Sequence, residues 1–123
     1  MPVLDTGLLI DLLKGKPELA NIIKSIGENN LSTTVFNKYE LLRGAGRANI
    51  GKVKELLDKL TIYEFSEEAM QESVKIYKNL KERGKSIGEI DILVAGTSFA
   101  NGELLYAGDR DFENIDSPYV KLV

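Results

Sequence analysis

Cysteine and histidine are both missing from the 123 residues. Without cysteine there is no disulfide, no zinc–thiolate site and no thiol nucleophile; this fits a reducing interior, and the cytoplasm is the expected compartment. Without histidine there is no imidazole acid–base pair. Long apolar runs are absent as well. The N-terminal one is broken by Asp5 and Asp11, and nowhere does the chain approach the roughly 20 apolar residues that a membrane span needs, so neither a signal peptide nor a span is expected. Positive charge is also short: 16 Lys and Arg stand against 19 Asp and Glu, a net charge of −3. That balance argues against a coating protein holding nucleic acid through a broad basic face. It leaves room for an enzyme acting on nucleic acid, because acids gathered in one pocket depress the total. Basic residues remain clustered at Arg43 and Arg47, at Lys52 and Lys54, and from Lys75 through Lys78, Lys81 and Arg83 to Lys85. They serve either as solvated helix faces or as an RNA track.

A chain of this length supports one hydrophobic core, so residues 1–123 are expected to form a single domain, and an extended substrate surface would need a dimer. Short apolar runs alternate with helical patterns throughout, the signature of an α/β fold with a mostly parallel sheet. Strands are predicted at Val3-Leu4, Leu31 to Thr33, Thr61 to Phe65, Leu104 to Ala107 and Val120 to Val123. Helices are predicted over 17–26, with Leu19, Ile22, Ile23 and Ile26 on one face, and over 35–43, 50–60 and 66–83. Ser66-Glu-Glu-Ala69 is a capping pattern, and Gly84 ends that helix. Residues 87–100 are apolar on nearly every side, which predicts a helix sunk in the protein and ended by Gly102.

Four carboxylates stand out against this background. Asp5 closes the run Met1-Pro-Val-Leu4, and Asp91 is the only charge between Ile90 and Ala100. A buried, unpaired carboxylate costs several kcal/mol or neutralises itself, so a cation is expected to meet these groups. With neither imidazole nor thiolate present, the matching cation is an oxygen-loving divalent ion, Mg²⁺ or Mn²⁺. In open α/β sheets the site lies beyond the carboxyl ends of the strands, where Asp5 and Asp109 fall. Glu40 lies about 40° from Phe36 on the following helix, at the margin of a Val35, Phe36, Tyr39 stripe. Asp91 begins the sunken helix. Three of them have a plainer reading: Asp5 as a helix cap, Glu40 as a partner of Arg43 or Arg47, Asp109 with Asp111 as a turn. Only Asp91 has no obvious alternative. Thr6, Thr33 and Thr34 are candidates to orient ligands or water, while Asp11 and Glu89 read as auxiliary or solvated.

Four segments resemble one family: Val3-Leu-Asp-Thr-Gly-Leu-Leu-Ile-Asp-Leu-Leu-Lys-Gly15, Ser32-Thr-Thr-Val-Phe-Asn-Lys-Tyr-Glu-Leu-Leu-Arg-Gly-Ala45, Ile87-Gly-Glu-Ile-Asp-Ile-Leu-Val-Ala95 and Ala107-Gly-Asp-Arg-Asp-Phe112. In this order and at these spacings they look like a PIN-domain ribonuclease, and among those the VapC toxins of prokaryotic toxin–antitoxin pairs. The resemblance implies a three-layer α/β/α fold around about five mostly parallel strands. It implies Asp5, Glu40, Asp91 and Asp109 as the metal-binding, catalytic acids, with Asp111 and Thr6 as auxiliaries. Gly7 stands where the family often has serine, and Ala107-Gly108 where a threonine and a second polar residue commonly precede the last aspartate.

The expected activity is therefore Mg²⁺- or Mn²⁺-dependent hydrolysis of RNA phosphodiesters by water. The resemblance further implies a 5′-phosphate product, a homodimer, and a cognate antitoxin placing an arginine or lysine among the acids. The alternatives are a stand-alone RNA-processing nuclease of the same fold and a non-catalytic PIN-like scaffold. An aspartyl-phosphate phosphatase would want a second aspartate two residues after Asp5, where Gly7 stands. A receiver domain would need a lysine facing the site.

Overall fold

The computed structural model describes all 123 residues. Strands β1 (Val3–Leu4), β2 (Ser32–Thr34), β3 (Thr61–Tyr63), β4 (Leu105–Ala107) and β5 (Val120–Leu122) form one sheet in the order β3-β2-β1-β4-β5. Every pairing in it is parallel, so the expected "mostly parallel" sheet is wholly so. Six helices connect and cover it: α1 (Thr6–Leu13), α2 (Glu18–Ile26), α3 (Val35–Gly44), α4 (Ile50–Asp58), α5 (Glu67–Glu82) and α6 (Glu89–Ala100).

The strand period of two divides the core between the two faces of the sheet. Val3, Leu105 and Ala107 point to the side closed by α5 and α6, where Ile76, Leu80, Ile92, Val94 and Phe112 meet them. Leu4 and Tyr106, each one residue out of step, point to the other side, among Leu8, Leu9, Leu19, Leu41, Val53 and Leu57 from α1 to α4. Parallel strands buried on both faces need apolar residues at successive positions, which is why these strands read as short continuous apolar runs.

Two strand edges differ from expectation. β2 is displaced by one residue, to Ser32–Thr34, and β3 stops at Tyr63 rather than Phe65. Phe65 instead packs edge-on against Phe36, with ring centroids 5.2 Å apart. No span was predicted for α1. Its sequence, Thr-Gly-Leu-Leu-Ile-Asp-Leu-Leu, is apolar over most of its circumference and carries Gly7 in its first turn, so both periodicity and propensity are weak there.

The predicted caps form as read. The Ser66 hydroxyl accepts from the Ala69 amide at 3.0 Å, and Gly84 follows α5 at φ +67°, where a side chain would be strained. α6 is sunk as expected, with Ile92 and Val94 through Ser98 buried. Gly96 is what lets α6 lie so close to α5. A Cβ there would stand 2.8 Å from the Ser73 amide nitrogen and 2.9 Å from the Ala69 carbonyl oxygen.

Candidate functional site

Strand order reverses direction at β1: the chain builds outward to β2 and β3, then returns to place β4 on β1's other side. Connections from neighbouring strands β1 and β4 therefore leave in opposite directions, opening a crevice beyond their carboxyl ends. Asp5 is the first residue after β1, and Asp109 lies two residues beyond β4. α3 starts immediately after β2 and carries Glu40 to the crevice, and the first turn of α6 carries Asp91 there. Together with Thr6 and Asp11, the four acids line one cleft of about 400 Å³ that contains no lysine or arginine. Asp111 is not among the lining residues.

Their environments differ more than the sequence implied. Asp5 is buried, at 6 % exposure, whereas Glu40 and Asp91 are half-buried and Asp109 is exposed. Burial is the main cause that lifts the Asp5 carboxyl to about pKa 6, with repulsion from Glu40 and Asp109 adding to it. Asp91 is also raised to about 6, by burial first and then by repulsion from Asp5, Asp109, Glu40 and Asp111. These groups thus feel one another as like charges.

The plainer readings fare unequally. Asp5 occupies the N-cap position of α1, yet its side chain makes no capping hydrogen bond. Glu40 forms no ion pair with Arg43 or Arg47; the Arg43 guanidinium lies 5.2 Å over the Tyr39 ring instead. The Asp109–Asp111 turn is real: Asp109 Oδ1 accepts from the Asp111 amide at 2.9 Å and opens a 3-10 turn over Arg110–Asn114. One Asp109 oxygen is therefore held by backbone while the residue still borders the cleft. Asp11 pairs with Lys16 at 3.0 Å, and Glu89 lies outside the cleft.

The inward stripe predicted for α3 is corrected. Val35 and Tyr39 are exposed, at 36 % and 55 %, and the buried face carries Asn37 and Leu41 instead. Asn37 sits about 60° round the helix from Glu40, so Glu40 still borders the crevice.

Asn37 is the functional residue that sequence reasoning missed. Its Nδ2 donates to Asp5 Oδ1 at 3.3 Å and to Thr6 Oγ1 at 2.9 Å, and Thr6 Oγ1 in turn donates to Glu40 Oε1 at 2.7 Å. Its Oδ1 accepts from the Thr34 hydroxyl at 2.7 Å and from the Thr34 amide at 3.2 Å. One fully buried amide thereby fixes two acids from the end of β2. The signal was present as Thr34-Val-Phe-Asn37, a capping box with asparagine in the third helical position. Thr6 and Thr34 belong to this chain of hydrogen bonds, whereas the Thr33 hydroxyl is engaged by the Leu4 carbonyl at 2.7 Å and serves the sheet.

An all-oxygen donor set with unbalanced negative charge suits a hard divalent cation better than any other ion. The acids do not form a ready-made cage, since no three of them stand at the mutual spacing of one. They face a common space without closing on it. A receiver-type site, which needs a lysine there, does not fit.

A model of the PIN domain matches residues 3–118. Ribonuclease VapC2 of Haemophilus influenzae is 27 % identical over 121 residues, an alignment taking in 92 % of this chain and 90 % of that protein. The tRNA(fMet)-specific endonuclease VapC of Salmonella typhimurium is 24 % identical over 119 residues, with coverage of 92 % and 90 %. Among solved structures, DNA-bound VapBC from Salmonella typhimurium includes a chain that superposes with a TM-score of 0.86 over 98 % of both chains, at 22 % identity. FitAcB from Neisseria gonorrhoeae gives 0.79 over 98 % of this chain and 96 % of that one, at 18 % identity. The five-stranded parallel sheet, the crevice at its switch point and a family match over almost the full length lead to one assignment: this chain belongs to the PIN-domain family.

Proposed function

We propose that this protein is a divalent-metal-dependent endoribonuclease and the toxin of a VapBC-type pair. The observation that carries the reading is the convergence of Asp5, Glu40, Asp91 and Asp109, from four separate elements, on one cleft with no protein cation to balance them. Relatives named as a ribonuclease and as a tRNA(fMet)-specific endonuclease align over nine-tenths of the chain and support the substrate class.

Asp5, Glu40, Asp91 and Asp109 would hold the ion, and Mg²⁺ or Mn²⁺, when bound, supplies an acidified water and positive charge for the phosphoryl oxygens. The chain's own part is positional. Asn37 and Thr6 hold Asp5 and Glu40 in fixed orientations, and the Asp111 amide fixes one oxygen of Asp109. Having no histidine, the protein offers no imidazole pair for a metal-free route through a cyclic phosphate, which supports water as nucleophile and 5′-phosphate products.

The partner reading rests on relatives solved as toxin–antitoxin complexes, such as the one from Klebsiella pneumoniae. A cognate antitoxin is expected to block the cleft with an arginine or lysine among the acids. No helix is long and apolar enough to cross a membrane. We also propose a homodimer, paired through Met70, Val74 and Tyr77, which stand exposed at helical spacing on α5.

The deciding experiment is a ribonuclease assay with and without chelator, on the parent protein and on Asp91→Asn. Cleavage is expected to require Mg²⁺ or Mn²⁺ and to fall by about two orders of magnitude or more in the variant. Cutting that persists in EDTA, or in Asp91→Asn, sinks the proposal.

A further inference from the structure

Beside the acidic cleft, and sharing Ile10 and Glu40 with it, a second cavity of about 410 Å³ opens between α1, α3 and α4. Its floor is apolar, from Leu13, Leu41 and Val53, while Lys14 and Lys52 stand on its rim. Neither ammonium makes an ion pair. Asn49 completes the wall. Its Oδ1 accepts from the Gly46 amide at 2.8 Å, which orients the side chain, and its Nδ2 donor has no acceptor within the protein.

From this juxtaposition we infer that the cavity is a nucleotide subsite, seating one base of a single-stranded RNA next to the scissile phosphate. The inference rests on the nuclease reading above and names where its substrate binds. The argument is one of charge and reach. Apart from the phosphate that meets the bound ion, a phosphodiester chain is repelled by a cleft of carboxylates, so further affinity for the chain comes from cations just outside it. Lys14 and Lys52 supply them beside the cleft, because Ile10 and Glu40 border both spaces. A base turned out of its stack needs an apolar surface and a polar donor for its edge, and the floor and Asn49 provide both. The volume falls within the range of small-ligand pockets.

The test compares two substrates in Mn²⁺: a mixed-sequence single-stranded RNA, and bis(4-nitrophenyl) phosphate, which presents a phosphodiester without base or chain. Removing both lysines (Lys14→Ala with Lys52→Ala) or plugging the cavity (Gly44→Phe) should lower the ratio of RNA to diester cleavage by about tenfold. Gly44 suits the plug because an added Cβ meets nothing within 4 Å. Lys75→Ala, on α5 and paired with Glu72, should keep the parental ratio. In Ca²⁺, RNA binding followed by fluorescence anisotropy should show a salt slope shallower by about one for each lysine removed. An unchanged ratio together with an unchanged slope overturns the subsite. So does a cavity that takes up an acidic amphipathic peptide while the lysine variants bind RNA like the parent, which would assign it to a protein ligand. A parent protein that hydrolyses neither substrate defeats the nuclease reading, and the Ca²⁺ binding comparison then decides the subsite alone.

Discussion

Asp5 and Asp91 are the residues at which charge, burial and proposed chemistry collide. Both carboxyls are raised to about pKa 6. A carboxyl that binds its proton more tightly in the folded state than in the unfolded chain adds stability below the unfolded value, near 4, and that stability is lost as pH rises through about 6. The metal-free protein is therefore expected to melt at lower temperature at pH 7.5 than at pH 5, with chelator present throughout. Asp5→Asn, which removes the most buried of these charges, should flatten that dependence and raise the melting temperature at pH 7.5. A profile that is flat in the parent, or equally steep in Asp5→Asn, would contradict the described electrostatics. Asn37 makes the complementary prediction. Its truncation to Ala leaves Thr34 without its cap partner and deprives Asp5 and Thr6 of a donor, a loss of about 2 kcal/mol in urea unfolding. If its role is to position the acids, kcat for RNA should fall in Asn37→Ala under conditions where it remains folded, and Asn37→Ser should recover little. Parental turnover in folded Asn37→Ala would reduce the residue to a helix cap.

At the level of elements, the α5–α6 crossing shows what composition alone cannot. Gly96 lies within the apolar helix α6, and its missing side chain is the space into which Ser73 fits. An added Cβ would overlap Ser73 Oγ as well as crowd two backbone atoms. Gly96→Ala should therefore cost about 2–3 kcal/mol, as overpacking does in other cores. Adding Ser73→Gly removes only the side-chain clash, so the double variant should regain part of the loss and not all of it. Complete recovery, or no loss in the single variant, would mean the helices are free to part. This matters for the site because α6 carries Asp91 in its first turn. Helices with caps and a single apolar face, such as α2 and α5, were legible because local rules act within one stretch of chain. α1 was not, since apolar residues surround it, and the buried face of α3 was misjudged because a polar residue, Asn37, occupies it.

For the whole molecule, Asp5 and Asp91 were legible as candidates one at a time, since a carboxylate in an apolar stretch conflicts with burial, whereas half-buried Glu40 and exposed Asp109 stood out only by their positions. What joins them was not legible. That β1 lies between β2 and β4 rests on a pairing across more than 100 positions, between Leu4 and Tyr106, and no local pattern encodes it; nor does any local pattern reveal that Lys14 and Lys52 flank one cavity. The convergence was inferred from the rule that sites in α/β sheets lie beyond the strands' carboxyl ends, and the resemblance to a known family agreed with it. The same scale exposes one surface that a lone protomer leaves unexplained. Met70, Val74 and Tyr77 stand at helical spacing along the outer side of α5, exposed at 39 %, 43 % and 45 %, and Phe65 continues the patch at 38 %. A contiguous apolar patch of this kind on a small domain marks an interaction surface. Its two-fold pairing would bury the stripe against its own copy, because a closed dimer uses the same patch on both partners. Val74→Lys sets two like charges facing each other across such an interface and should convert the dimer to monomer in light scattering, without lowering the helix content. Because none of these residues lines the acidic cleft, bis(4-nitrophenyl) phosphate hydrolysis should survive in the monomer, while cleavage of a long RNA that bridges both protomers should weaken. A parent protein that is monomeric at every concentration, or a Val74→Lys dimer as tight as the parent's, would remove α5 as the pairing face.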